Sequence, residues 1–385
     1  MSRLVLSLII GWLWLSPAAC GTGAAEPAPG ANQDRYAEAA ALVRKLGDER
    51  FATRELATTQ LIEMGLAAKR ALEEGRKQAD REIRFRCERI LSIVEEVDFQ
   101  RRLAAFAAGR SGEECGLPGW RRYRERFGND AESRALFAEM EKAEYKVMEA
   151  VELGPDGVGK VVELRCAALQ QAKQGSRQVS LGNAAALLFA ATTPDVNLSL
   201  QAQNAVYSFC CQSAVMEAMN DATKSKILRP MLGAWVKRGN GWGAQQSISL
   251  ALRFDLKEGL VPATKAIQAQ GNQPYLRMQG ITAIAKLGDS SHAELLEPLL
   301  EDTARCGAHR DGSVQYETQV RDVALAAILL MKKQDPKQFG FIRFQPVPQS
   351  ILNVSSVGFE NDEKRNEALA KWRAFKQQEQ KRKGP

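Results

Sequence analysis

Histidine is almost missing from this sequence. The 385-residue chain has two, His292 and His309, so any Ser-His-Asp or Cys-His site would have to use one of them. His292 opens a helix in "SSHAELLEPLL", a place for a surface or capping side chain. His309 lies in "DTARCGAHRDGS", a polar insertion between the last two helices of a repeat. Asp302, Cys306, His309 and Asp311 could in principle hold a metal there, but a zinc site brings more ligands at tighter spacing. The insertion is therefore read as an exposed loop. H-E-x-x-H and G-x-S-x-G do not occur. Carboxylates are plentiful, but they sit on mixed-charge helical faces whose ordinary role is solvation. The residues offer no catalytic, cofactor-binding or metal-ligating set.

Long apolar runs are also scarce. Leu4 to Leu15, "LVLSLIIGWLWL", follows Arg3 and precedes Pro17 and the small residues "AACGTGAA". That is the layout of a secretory signal peptide, and it is short for a membrane span. Cleavage is expected after Ala25. Cys20, preceded by Ala18 and Ala19, is the candidate lipidation site of a lipoprotein leader, although Pro17 stands where that pattern prefers Leu. The longest later apolar run, Val323 to Met331, cannot cross a bilayer. An exported, periplasmic or secreted protein is expected, with no transmembrane segment after the leader.

Cysteine is sparse: seven in all, too few for a disulfide-built scaffold. Six remain without Cys20, and their pairing is left open. Cys87, on the apolar face of a helix, reads as a small buried hydrophobe. Strand-like alternation is nearly absent. The best candidate, "FGFIRFQPVPQ" at 339–349, has prolines that mark an extended arm rather than a sheet strand.

One stretch imitates a nucleotide-binding loop. Gly154, Gly159 and Lys160 in "VELGPDGVGKVVELR" match G-x-x-x-x-G-K. The next residue is Val161, which offers no oxygen to Mg²⁺, and the preceding "RALFAEMEKAEYKVMEAVEL" has helical spacing where a buried strand is required. A Gly-Pro-Asp-Gly turn between two helices is the expectation.

What the chain does contain is a pattern written four times. "TRELATTQLIEM", "IRFRCERILSIV", "LRMQGITAIAKL" and "VRDVALAAILLM" start from Arg54, Arg84, Arg277 and Arg321. A small residue follows at plus three (Ala57, Cys87, Gly280, Ala324). Aliphatic residues or Met follow at plus seven and plus ten. These positions share one face of an α-helix. The small residue admits a neighbouring helix, and the larger ones fill the space between. Gly65 and Gly288 then end two of the four helices. One helix pair cannot bury such a face, but a stack can.

On these residues the chain resembles HEAT-repeat proteins, with their "VR..A...L" helix signature, and in particular the HEAT-like proteins exported by some bacteria. "LVRKLGDERFATREL", Leu42 to Leu56, and "VGFENDEKRNEALAKWRAF", Val357 to Phe375, carry the likeness at the two ends. The resemblance implies an all-α fold, an α-solenoid of HEAT-like helix pairs that binds other macromolecules, and it carries over no catalytic residue.

The expected organisation is a signal peptide (1–25), a linker (26–33), N-terminal repeats (34–97), a divergent helical middle (98–243), C-terminal repeats (244–338), and an extended arm, capping helix and basic tail (339–385). In the middle, Pro194, Pro230, Gly239 and Gly241 punctuate helix-rich stretches. In the last helix Asn361 or Asp362 is the expected N-cap, and Ala368, Leu369, Trp372 and Phe375 form the apolar stripe.

The formal charge is +7. Cleavage after Ala25 removes Arg3 and no acidic residue, so the mature chain stays mildly basic. Weak, salt-screened contact with anionic envelope surfaces follows. "GWRRYRERF" at 119–127 interleaves aromatics with arginines, a composition that can grip a polyanion, but export removes the chain from cytoplasmic nucleic acid. The functional expectation is a non-enzymatic scaffold with a protein partner. The alternatives are an enzyme with its site in the solenoid groove, and a binder of anionic envelope polymers.

Overall fold

The computed structural model describes residues 29–174, 178–239, 243–269, 271, 273–348 and 350–383. The leader and Cys20 lie outside these residues. Sixteen α-helices and one two-stranded antiparallel sheet are present among them, and the protein is mostly helical, as the 3.6-residue periodicity predicts. The chain divides into two compact units, Met1–Arg101 and Arg102–Pro385.

The first unit contains α1 (Pro29–Lys45), α2 (Phe51–Met64), α3 (Lys69–Gly75) and most of α4 (Arg81–Ala107). Its core joins Leu42 of α1, Leu46 just after it, Ala57 and Leu61 of α2, and Cys87 and Leu91 of α4. The small and plus-seven positions of the first two repeats are thus buried together. Gly65 ends α2 with φ of 59°, a left-handed value that a side chain would disfavour. Asp80 starts α4 by accepting the N–H groups of Glu82 and Ile83 at 2.8 and 3.0 Å.

The repeat arginines have a shared task. Arg54 Nη1 donates to the carbonyls of Asp48 and Glu49 at 2.8 and 3.0 Å. Arg84 Nη1 donates to the carbonyls of Gln78 and Ala79 at 2.9 and 2.6 Å. Each ties its own helix to the turn that precedes it, satisfying carbonyls that no helix partner reaches. In the second unit Arg277 Nη1 does the same with the Gly271 carbonyl at 2.9 Å and pairs with Asp302 at 2.8 Å. Arg321 departs from the pattern: its side chain turns to Gln319 at 2.6 Å and Asp362 at 3.1 Å.

The second unit begins with an aromatic core. Trp120 and Tyr123 of α5 (Trp120–Phe127) are buried against Phe106, Phe137 of α6 (Ala131–Ala150) and Phe189 of α8 (Leu181–Ala191). Between α6 and α8 runs α7 (Pro155–Gln174). Further on, α13 (Leu260–Ile267) packs on α14 (Pro274–Leu287). There a Cβ on Gly280 would stand 2.8 Å from the Ala263 carbonyl oxygen. The small residue at plus three is therefore required by close approach of two helix backbones. The plus-seven residues Ile284 and Ile328 are fully buried. Leu61→Ala and Ile284→Ala are each expected to destabilise the protein by about 2–5 kcal/mol, the range for truncating a buried aliphatic side chain. Urea unfolding with unchanged midpoints for both would show that these residues do not form the core face.

Several sequence expectations need correction. The insertion read as an exposed loop is the hairpin, β1 (Arg305–Asp311) paired with β2 (Val314–Gln319). A two-residue Gly312-Ser313 turn closes it between the paired residues Asp311 and Val314, with Gly312 at φ of 58°. Residues 339–348 of the expected arm are not extended: after a 3₁₀ turn at Pro336–Phe339 the chain folds back, burying Phe341 against Phe359. Pro230 does not punctuate. It lies inside α11 (Ala222–Lys237), exposed on the solvent side, while buried Ile227, Leu228, Met231 and Leu232 hold the helix from the other. The stretch from Leu198 to Met219 is helix-rich as expected, forming α9 (Leu200–Cys210) and α10 (Ser213–Asn220), parted at Cys211 and Gln212.

The chain continues through α12 (Ala244–Phe254), 3₁₀ turns at Ser290–Glu301, α15 (Val320–Met331) and α16 (Asp362–Lys383). Asn361 caps α16, accepting the N–H of Lys364 at 3.0 Å. Ala368, Leu369 and Trp372 are buried, with Phe375 stacked on Trp372 and edge-on to Phe339. The six cysteines among the described residues carry free thiols. Cys87 is wholly buried and its thiol is pushed up to about 11 by desolvation, consistent with an inert small hydrophobe.

Candidate binding site

Three arginines converge on the C-terminal end of α8. Helix α5 supplies two of them, Arg122 and Arg126, one turn apart on a face beside its buried aromatics. Arg238, which follows α11, supplies the third. Arg122 Nη1 donates to Thr193 Oγ1 at 2.7 Å, and Arg126 Nη1 donates to Thr192 Oγ1 at 2.9 Å. Each threonine in turn donates to a carbonyl of the last turn of α8, Phe189 and Ala190, both at 2.7 Å. Arg238 donates to the carbonyls of Ala191 at 2.9 Å and Val196 at 2.5 Å, and to that of Thr193. The last carbonyls of a helix lack intrahelical partners and carry its partial negative charge. Cations and hydroxyls placed there satisfy both needs.

The charge supplied exceeds that need. No carboxylate lies within ion-pair distance of these three guanidiniums among the described residues, and Arg122 Nη2 is buried with no hydrogen-bond partner. Burial lowers the Arg122 guanidinium to about 10, with Arg126 and Arg238 adding repulsion and Glu152 partly opposing them. Burial also lowers Arg126, and it lowers Arg238 against the attraction of Asp195.

Arg238 is also part of a cavity wall. The cavity encloses about 250 Å³ and is lined by Arg238, Trp235, Asn197, Gln203 and Ser247, with Val196 and Leu198 among its apolar residues. Ser247 is buried and its hydroxyl has no partner. Gln203 Nε2 is held by the Leu198 carbonyl at 2.8 Å. The chemistry on offer is a cationic end joined to neutral hydrogen-bonding groups.

The residues singled out from sequence fall elsewhere. Gly159 and Lys160 lie inside α7, and the turn before them is Val151–Gly154, with Gly154 at φ of 82°. The helix begins at Pro155, so Pro155, Asp156 and Gly157 belong to it rather than to the turn. His292 is a capping residue: its Nδ1 meets the Asp289 N–H at 3.3 Å and the Asp289 carboxylate at 3.0 Å. These contacts, led by Ser291, hold the Asp289 carboxyl at about 2. His309 is exposed on β1 opposite Tyr316, Cys306 is buried and Asp302 pairs with Arg277. Among the described residues no group of three or more His, Cys, Asp or Glu is placed to hold a metal ion, and no helix is long and apolar enough to cross a membrane.

The basic stretch 119–127 cannot stack bases on Trp120 or Tyr123, which are 1% and 0% exposed. Its arginines were visible in the sequence. Arg238 and the two threonines were not, because nothing local links them to α5. Comparison with known proteins yields no match: no family model fits the chain, and neither a curated protein nor a solved structure is similar to it.

Proposed function

We propose that this protein is an exported, non-enzymatic binding module whose HEAT-like helix pairs stack as an α-solenoid and engage a protein partner. The observation that carries the reading is the shared task of Arg54, Arg84 and Arg277. Three stretches distant in sequence use the same side chain to tie a helix to its preceding turn, with a small and an aliphatic residue buried at the same offsets. That is how a repeated unit behaves, and stacked units present extended surfaces for macromolecules. Phe51 and Leu56 of α2 and Phe85 of α4 are 63%, 61% and 61% exposed, and exposed aromatic side chains are common anchors at protein interfaces.

The test has two parts. Mass spectrometry of the mature N-terminus from a native envelope fraction is expected to find a start at or near Glu26. A lipid-modified Cys20 would make the protein a membrane-anchored scaffold, and an intact Met1 would mean an uncleaved leader. The purified mature chain, used as bait in envelope extract, is expected to retain a specific protein. A Phe51→Ser, Phe85→Ser double variant that still folds is expected to lose it. Equal retention by both baits would reject these residues as the anchor.

A further inference from the structure

The three arginines do more than finish a helix. The α8 terminus carries roughly half a negative charge, and one cation would balance it. Arg238 alone satisfies the Ala191, Thr193 and Val196 carbonyls. Arg122 and Arg126 hydrogen-bond only to the threonine hydroxyls while lying over the Phe189 and Phe127 rings at 5.2 Å, and each hydroxyl is also satisfied by its own bond to a helix carbonyl. Two guanidiniums are thus surplus to local structure. Donors remain free on both, Arg122 Nη2 among them. The acidic side chains nearest in effect, Glu152 and Asp195, are exposed, and Glu152 is already engaged by the Gly119 N–H at 2.8 Å.

We propose that this corner of the second unit binds a small, hydroxylated phosphate monoester. Its phosphate sits against Arg122, Arg126 and Arg238, and its hydroxyls reach Asn197, Gln203 and Ser247 in the adjoining cavity. A dianion with three terminal oxygens suits the two surplus planar forks of Arg122 and Arg126, with the charge of Arg238 beside them, better than a single carboxylate does. The cavity is slightly smaller than the ~300 Å³ at which drug-sized pockets begin, which fits a polyol of a few carbons. The unpartnered Ser247 hydroxyl, which can donate and accept, is the feature that selects an ester over free phosphate. This inference concerns the second unit alone and does not depend on the protein-partner reading.

The experiment is a calorimetric titration of the purified mature chain at fixed ionic strength, with sodium chloride as the control. Inorganic phosphate and glycerol 3-phosphate are the soluble probes, and vesicles containing phosphatidic acid are the membrane-bound one. Saturable binding of both soluble probes is expected, tighter for the ester. Arg122→Gln is expected to weaken both by about tenfold or more, the scale of one lost charge-assisted hydrogen bond. Arg126→Gln, at an exposed position, provides the same test if Arg122→Gln does not fold. Ser247→Ala is expected to weaken glycerol 3-phosphate and leave inorganic phosphate unchanged. Three results would overturn the proposal: no saturable heat with either soluble probe, binding unaltered in both arginine variants, or binding confined to the vesicles. Because no partner protein is involved, failure here is distinct from failure of the envelope pull-down.

Discussion

Glu141→Gln is expected to stabilise the protein by about 3 kcal/mol at pH 7 and by more at pH 8. Glu141 lies inside α6, 0% exposed, with neither carboxyl oxygen hydrogen-bonded. Burial pushes its carboxyl from the ordinary 4.5 up to about 9; the field of Arg102 opposes this and that of Glu149 adds to it. At neutral pH the folded protein therefore holds a proton that the unfolded chain has released. Taking up that proton costs about 1.4 kcal/mol for each pH unit above the unfolded value. The direction follows from the raised value: stability is fully present below about 4.5 and is lost as pH rises towards 9. Gln has nearly the shape of the protonated acid and carries no charge to neutralise. Urea unfolding of both proteins at pH 5 and pH 8 gives the check. Near-equal stability at pH 5 and a gap of roughly 4–5 kcal/mol at pH 8 are expected. A gap that does not change with pH would mean that Glu141 is not held neutral.

Glu144, one turn further along, shows what Glu141 lacks. It is also buried, but it receives Arg165 Nε at 2.7 and 2.8 Å and Asn183 Nδ2 at 2.7 Å. The backbone leaves helical geometry there, at φ −145° and ψ 46°. Burial of a carboxylate is tolerated when its oxygens are filled with donors and is otherwise met by protonation.

Arg365→Met is expected to destabilise the protein by about 3–5 kcal/mol, the scale for removing one partner of a buried ion pair. Arg365 is 3% exposed. Its Nε donates to Asp322 Oδ1 at 2.8 Å, its Nη2 to the Glu317 carbonyl at 3.0 Å, and its Nη1 to Asp362. It joins α16 to α15 and to the hairpin through one side chain. Asp322, 2% exposed, also receives the Gln319 N–H at 2.8 Å. Burial raises its carboxyl to about 6 even beside Arg365, whose charge acts the other way. Losing Arg365 would leave that carboxyl buried without its cation. The double variant Arg365→Met, Asp322→Leu is expected to recover most of the loss, since an apolar pair of similar volume avoids the desolvation cost. A double-mutant cycle by urea unfolding tests this. Additive effects of the two changes would show that the pair does not act as a unit.

The pH signature of Asp322 has the same sign as that of Glu141 over a lower window. Its folded value lies above the ordinary 3.8, so its ionisation weakens the fold as pH rises from about 4 to about 6. The two groups can be separated by the pH range in which each variant departs from the parent protein.

The helices and their buried faces were legible from the residues themselves. A period of 3.6 puts Ala57 with Leu61, Gly280 with Ile284 and Ala324 with Ile328 on common faces, and all of them are buried. Caps were legible for the same local reason: Gly65 can take a positive φ, Asn361 can accept an N–H three residues ahead, and His292 can reach back to Asp289. The hairpin had a local signal as well, Gly312-Ser313, but β1 is exposed along most of its length. The alternation that identifies a strand is therefore missing from β1 and confined to Val314, Tyr316 and Thr318 of β2, a run too short to stand out, and the segment read as a loop.

What only the tertiary structure decided is which charges lose their water. Glu141 in "FAEMEKAEYK" is indistinguishable by sequence from Glu139, yet Glu139 is exposed and Glu141 is sealed. Arg122 and Arg126 read as one basic stretch with Arg121 and Arg124 until α8 and Arg238 come to meet them. Periodicity assigns a side chain to a face of its own helix, because that depends on the nearest few residues. Desolvation and convergence depend on what other helices bring to that face from elsewhere in the chain, and no local pattern carries that information.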